Sequence, residues 1–190
     1  TDNDNVGVYS QAMKLQGTFL FIPTAIGTAL LPSLTRIATA SSDEFKAMQK
    51  QVMGIMVVLG LPVGALVYML AGDLTYVLYG HHKFQQLPAV LQAVAFNLIP
   101  LYVSSMLYQF LVAQRKNGVW SIFLLVTVGI NFWASNLLVP YFKLHYHNGA
   151  VGAVAAVVIA EIATTIMAII ILKNVPVDIP TLIRMGKAIL

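Results

Sequence analysis

Long apolar runs alternate with short polar ones along this chain. Five runs have the length of about 20 residues that a membrane-crossing helix needs: Val6 to Leu31, Gln51 to Ala71, Pro88 to Ala113, Gly118 to Pro140 and Ala150 to Leu172. All are continuously apolar and rich in Ala, Leu and Val. Barrel strands are only about 10 residues long and alternate in polarity, so the pattern predicts five transmembrane helices and no barrel. The expected fold class is all-α and integral to a membrane.

The polar breaks carry signals of their own. In SSDEFKAMQK, Ser41 and Glu44 have capping-box spacing, and Asp43 and Glu44 fall in a positive first turn, which predicts a short surface helix between the first two spans. The next break, AGDLTYVLYGHHKFQQLP, joins an amphipathic stretch (Leu74, Val77, Leu78) to a polar turn, Gly80 to Gln86. It predicts an interfacial segment with Tyr76 and Tyr79 in the headgroup layer. AQRKNG is a short basic turn and PYFKLHYHNG a polar, aromatic loop. The tail, residues 173–190, reads as a Pro-rich turn followed by a basic amphipathic segment, either interfacial or the start of a further helix.

Composition agrees with the pattern. Hydrophobic residues make up 58% of the chain and charged residues 9%, against a soluble norm of about half and a quarter. With a mean hydropathy of +0.80, most of the surface must face lipid or other apolar protein, and no soluble domain is expected. The chain opens on TDNDN, without a methionine or a basic lead-in, which predicts a loop in mid-protein and no signal peptide. The absence of cysteine removes disulfides, thiol catalysis and Cys-ligated metal.

Basic residues set the expected orientation, because Lys and Arg are retained on the cytoplasmic side. One set of alternate loops holds Arg36, Lys46, Lys50, Arg115, Lys116, Lys173, Arg184 and Lys187, and the other only Lys83 and Lys143. The C-terminus is therefore expected inside, and the N-terminal stub with Asp2 and Asp4 outside. This topology accounts for the net charge of +4 without a nucleic-acid partner.

Polar groups inside the spans come next, since an ionisable side chain there costs several kcal/mol unless it snorkels, pairs or meets water. On the first helix, Ser10, Gln11, Lys14, Thr18, Phe21, Ala25, Thr28 and Pro32 share one side with Gly7 and Gly17. Lys14 therefore either reaches the headgroups with its stem or lines a water-filled cavity. The third span places Asn97, Ser104 and Tyr108 on one face, with Pro100 a turn after Asn97. The fourth places Thr127, Asn131 and Ser135 at four-residue steps, a pattern that suits hydrogen bonds between helices as well as substrate contact.

Glu161 lies near the middle of the fifth span. Thr164 and Thr165 follow it, and Gly149, Gly152, Ala153, Ala156 and Ala160 before it form a surface for close helix approach. It either bonds within a helix interface or takes part in proton or cation coupling. His81, His82, His145 and His147 fall in two outer loops without Cys or acidic partners, a weak metal signal, and no metal site is expected. No Walker A loop, GxSxG elbow or HExxH helix is present, so neither catalysis nor ATP hydrolysis is expected.

Several long segments together carry a family resemblance. VGVYSQAMKLQGTFLFIPTAIGTALLPSLTRIA, GLPVGALVYMLAGDLTYVLYG, LPAVLQAVAFNLIPLYVSSMLYQFLVAQRKNGVWSI, VTVGINFWASNLLVPYF and NGAVGAVAAVVIAEIA follow in that order. The chain resembles the C-terminal half of polysaccharide-biosynthesis (O-antigen-type) membrane proteins of the multidrug/oligosaccharidyl-lipid/polysaccharide exporter superfamily. The resemblance implies five helices of one lobe in a two-lobed transporter, partnered by an N-terminal lobe outside this chain, in the bacterial cytoplasmic membrane. It implies movement of undecaprenyl-pyrophosphate-linked oligosaccharide to the outer face, by alternating access coupled to H+ or Na+ and without another cofactor.

On that reading Lys14 faces the cavity and attracts the pyrophosphate, with Ser10, Gln11, Thr18, Asn97, Ser104 and Asn131 as further cavity candidates. Pro23, Pro32, Pro62 and Pro100, with Gly60, are candidate bending points. Three other readings stand beside it: a lipid II flippase, a drug or cation antiporter of the same superfamily, and a non-transporting membrane assembly subunit whose polar residues only join helices.

Overall fold

The computed structural model describes residues 2–80 and 84–172, with side chains from residue 5 onward. Expectations for His81, His82, Lys83 and the tail 173–190 lie outside the described residues. Among the described residues seven helices follow in order: α1 (Asp2–Phe19), α2 (Phe21–Ala40), α3 (Ser42–Met69), α4 (Ala71–Tyr79), α5 (Leu87–Ala113), α6 (Asn117–Tyr146) and α7 (Gly149–Leu172). Five helical segments among the described residues are long and apolar enough to cross a membrane, with α1 and α2 forming one of them over Asn5–Ala40. The protein is an all-α, multi-pass membrane protein.

Several helices outrun the apolar runs that predict them. The stretch from Ser42 to Lys50 is not a separate surface helix but the opening turns of α3. Ser41 does cap it as expected, its hydroxyl accepting from the Glu44 N–H at 3.4 Å. No Gly or Pro stands between Ser42 and Met53, so nothing ends the helix where polarity changes. α6 likewise continues through Pro140 to Tyr146 and takes in most of the expected PYFKLHYHNG loop. It stops where His147 turns left-handed (φ 52), and the Asn148 side chain then accepts from the Val151 N–H at 3.3 Å to open α7.

α5 is the centre of the bundle and touches each of the other six helices. Its most apolar stretch is 61% buried, against 6% for that of α6, which rests mainly on α7 and exposes its remaining sides. The core has two parts. One joins Val8 and Ala12 of α1 to Leu87, Val90, Leu91 and Val94 at the start of α5 and Ala150 and Val154 at the start of α7. The other joins Leu34, Phe45, Met53 and Met56 to the later turns of α5, from Leu98 to Leu111.

The turns alternate between the two ends as sequential crossings require. The α2–α3 and α5–α6 turns line a common cavity at one end. At the other, Gln86 Nε2 donates to the His147 carbonyl at 3.2 Å and ties the start of α5 to the α6–α7 turn. The most intimate helix contact is α6 on α7. A Cβ placed on Gly152 would lie 2.5 Å from the Leu138 carbonyl oxygen, so only glycine permits this approach.

Candidate functional site

The first span divides into two faces. Val8, Ala12 and Gln16 of α1 and Pro23, Gly27 and Leu34 of α2 are buried, while Ser10, Lys14, Thr18, Phe21, Ala25, Thr28 and Pro32 are exposed. The polar stripe legible in the sequence is therefore a surface feature of these helices. Its threonines satisfy themselves locally: Thr18 donates to the Lys14 carbonyl at 3.3 Å, and Thr28 lies 3.0 Å from the carbonyls of Thr24 and Ala25. Lys14 has no ion pair among the described residues. Gln11 departs from its neighbours, because its side-chain oxygen accepts from the Tyr79 hydroxyl at 3.0 Å. Tyr79 is thus half-buried against α1, whereas Tyr76 is exposed.

The other candidate residues do not gather around Lys14. Asn97 is fully buried in α5, and neither atom of its amide has a partner among the described residues. Two turns on, Ser104 bridges helices, bonded to the Glu161 carboxyl of α7 and lying 3.2 Å from the Leu101 carbonyl. Asn131 of α6 accepts from Ser135 at 3.3 Å, one turn along the same helix. Thr127, on that face, meets Thr164 of α7. Glu161 and the four-residue series on α6 thus make contacts between or along helices, and Lys14 stands apart on the outer face of α1.

Among the candidate bending points, Pro23 is buried, Pro100 is partly buried, and Pro32 and Pro62 are exposed. Pro23 has a structural consequence. Lacking an N–H, it leaves the Phe19 carbonyl without its helical donor, and α1 gives way to α2 at Leu20. The Tyr102 hydroxyl of α5 supplies the missing donor at 2.9 Å. Sequence reasoning missed Tyr102, although a proline one turn into an apolar helix signals that a carbonyl needs a partner. It also missed Gln16 and Gln49, both buried with one amide atom unpartnered among the described residues.

The chemistry available here is that of binding. Among the described residues no three His, Cys, Asp or Glu side chains lie close enough to hold a metal ion. His145 stacks on Tyr141 at 4.4 Å and shares a 3.0 Å contact with the Tyr141 carbonyl, so it is tied to its own helix. What remains is a cation without a partner on the exposed polar side of an apolar helix, an arrangement suited to an anion that arrives from the membrane or from a cavity.

Residues 9–189 match the family described as Lipid II flippase MurJ. Neither a curated protein nor a solved structure matches the chain. The family match spans nearly the whole chain and includes all five membrane-length segments. The chain belongs to the Lipid II flippase MurJ family, a family of transporters and not of enzymes within the multidrug/oligosaccharidyl-lipid/polysaccharide superfamily.

Proposed function

We propose that this protein moves an undecaprenyl-pyrophosphate-linked sugar of the lipid II type across the bacterial cytoplasmic membrane, and that Lys14 meets the pyrophosphate. The observation that carries this reading is the position of Lys14, exposed and without an ion pair among the described residues on the polar side of the α1–α2 span. A cation in a low-dielectric wall attracts a diphosphate strongly, and the isoprenoid tail can remain in the bilayer while the headgroup crosses. Ser10 and Thr18 extend the polar surface one turn to either side. Opposing walls come from helices outside this chain, which the exposed stripe of α1–α2 and the exposed sides of α6 await.

The family supports lipid II ahead of an O-antigen-type repeat as cargo. In this reading, transport proceeds by alternating access driven by a cation gradient, with the basic end of the bundle in the cytoplasm. Bending occurs at Pro23, where α1 meets α2. The test is made with full-length protein in proteoliposomes that hold fluorescent lipid II or an undecaprenyl-pyrophosphate oligosaccharide of the O-antigen type. Faster outward movement of lipid II supports the reading, preference for the oligosaccharide reassigns the cargo, and movement of neither contradicts it.

A further inference from the structure

At the basic end of the bundle, two turns distant in sequence meet around a cavity of about 370 Å³. Thr39, Ser42 and Phe45 line it from the α2–α3 side, and Gln114, Arg115 and Lys116 from the α5–α6 side. Its floor is apolar, with the Phe45 ring and Ala113 both buried. Its rim is cationic. Arg115 and Lys116 are exposed and have no ion pair among the described residues, and the carboxylate of the nearby Asp43 is drawn to Lys46 at 3.5 Å. The start of α3 contributes little to the attraction, because Ser41 and the acidic side chains of its first turn already serve it.

The two cations are held by a fixed turn. The Lys116 N–H donates to the Leu111 carbonyl at 2.8 Å and the Arg115 N–H to the Val112 carbonyl at 2.9 Å, closing the end of α5 with Arg115 left-handed (φ 58). We propose that this cavity binds the phosphate headgroup of an anionic phospholipid. A guanidinium beside an ammonium suits a phosphate diester, and a basic pocket between helices at the membrane surface is where such headgroups are held. The apolar floor favours a lipid, whose glycerol and first methylenes follow the phosphate, over a free anion. The site lies at the opposite end of the bundle from the turn that joins Gln86 to His147, and it is independent of Lys14.

The test uses full-length protein purified with equal amounts of phosphatidylglycerol and phosphatidylcholine of identical chains, and mass spectrometry of the lipid retained. Wild type retains phosphatidylglycerol preferentially. Replacing both Arg115→Ala and Lys116→Ala lowers that preference by about fivefold for each cation, roughly 25-fold together. Arg36→Ala with Lys50→Ala removes equal charge from residues that do not line the cavity, and leaves the preference in place. Thr39→Trp fills the cavity without altering a charge and lowers it. No preference in wild type, equal loss in both double variants, an unchanged Thr39→Trp, or release of the lipid by equimolar inorganic phosphate would each overturn the proposal. Thermal midpoints of all variants confirm that they fold.

Discussion

The Tyr102 hydroxyl donates to the Phe19 carbonyl across 2.9 Å, at the one turn where Pro23 cannot. A side chain of α5 thus completes the backbone of α1 at its junction with α2. Removing the hydroxyl leaves a part-buried carbonyl unsatisfied inside an apolar bundle. Tyr102→Phe is expected to cost about 1–3 kcal/mol, read as a lower thermal midpoint of the purified protein. Pro23→Ala restores an N–H to the helix, so in the Tyr102→Phe background it recovers most of the loss. The two changes are coupled, and additive effects would show that the hydroxyl does not substitute for the missing donor.

Gly152 packs with no room for a methyl, its added Cβ meeting backbone atoms of Leu138 and Val139. Backbone cannot swing aside as a side chain end can, so Gly152→Ala must separate α6 from α7. A cost of about 1–3 kcal/mol is expected. Gly129, on α6, has nothing within 4 Å of an added Cβ. Gly129→Ala should therefore leave the thermal midpoint unchanged or raise it slightly. Equal responses at the two positions would contradict the close packing of α6 on α7.

Ser104 and Glu161 form the polar link between α5 and α7. Glu161→Gln keeps a side chain that can bond to Ser104, and both membrane abundance and transport are expected to persist. Glu161→Leu leaves the Ser104 hydroxyl without its partner across the interface and lowers abundance. If Gln keeps abundance but abolishes transport, the carboxyl carries a coupling charge and its role is more than structural.

How far the sequence reveals this architecture differs from element to element. The five spans, the short α4 and the Ser41 cap were all legible, because each depends on residues close together in the chain. The continuity of α3 across Ser42 to Lys50 was not, since a capped amphipathic turn looks the same whether it stands alone or leads into a span. The fourth apolar run ends at Pro140, yet α6 passes through it. At the site, the stripe containing Lys14 followed from helical periodicity, but Gln11 was drawn off it by Tyr79, which is 68 residues away. The partner of Phe19 is 83 residues away, and only the folded bundle brings Tyr102 to it.

The central claim is that Lys14 is the cation that receives the substrate's pyrophosphate. The most direct measurement is delivery of lipid II to the outer face by the full-length protein carrying Lys14, Lys14→Arg or Lys14→Ala, each normalised to its amount in the membrane. Arg is expected to retain most transport and Ala to lose at least tenfold at equal abundance, the consequence of about 1.4 kcal/mol or more of lost attraction. Normal transport by Lys14→Ala would contradict the claim and leave Lys14 as a side chain that only extends its charge to the headgroups.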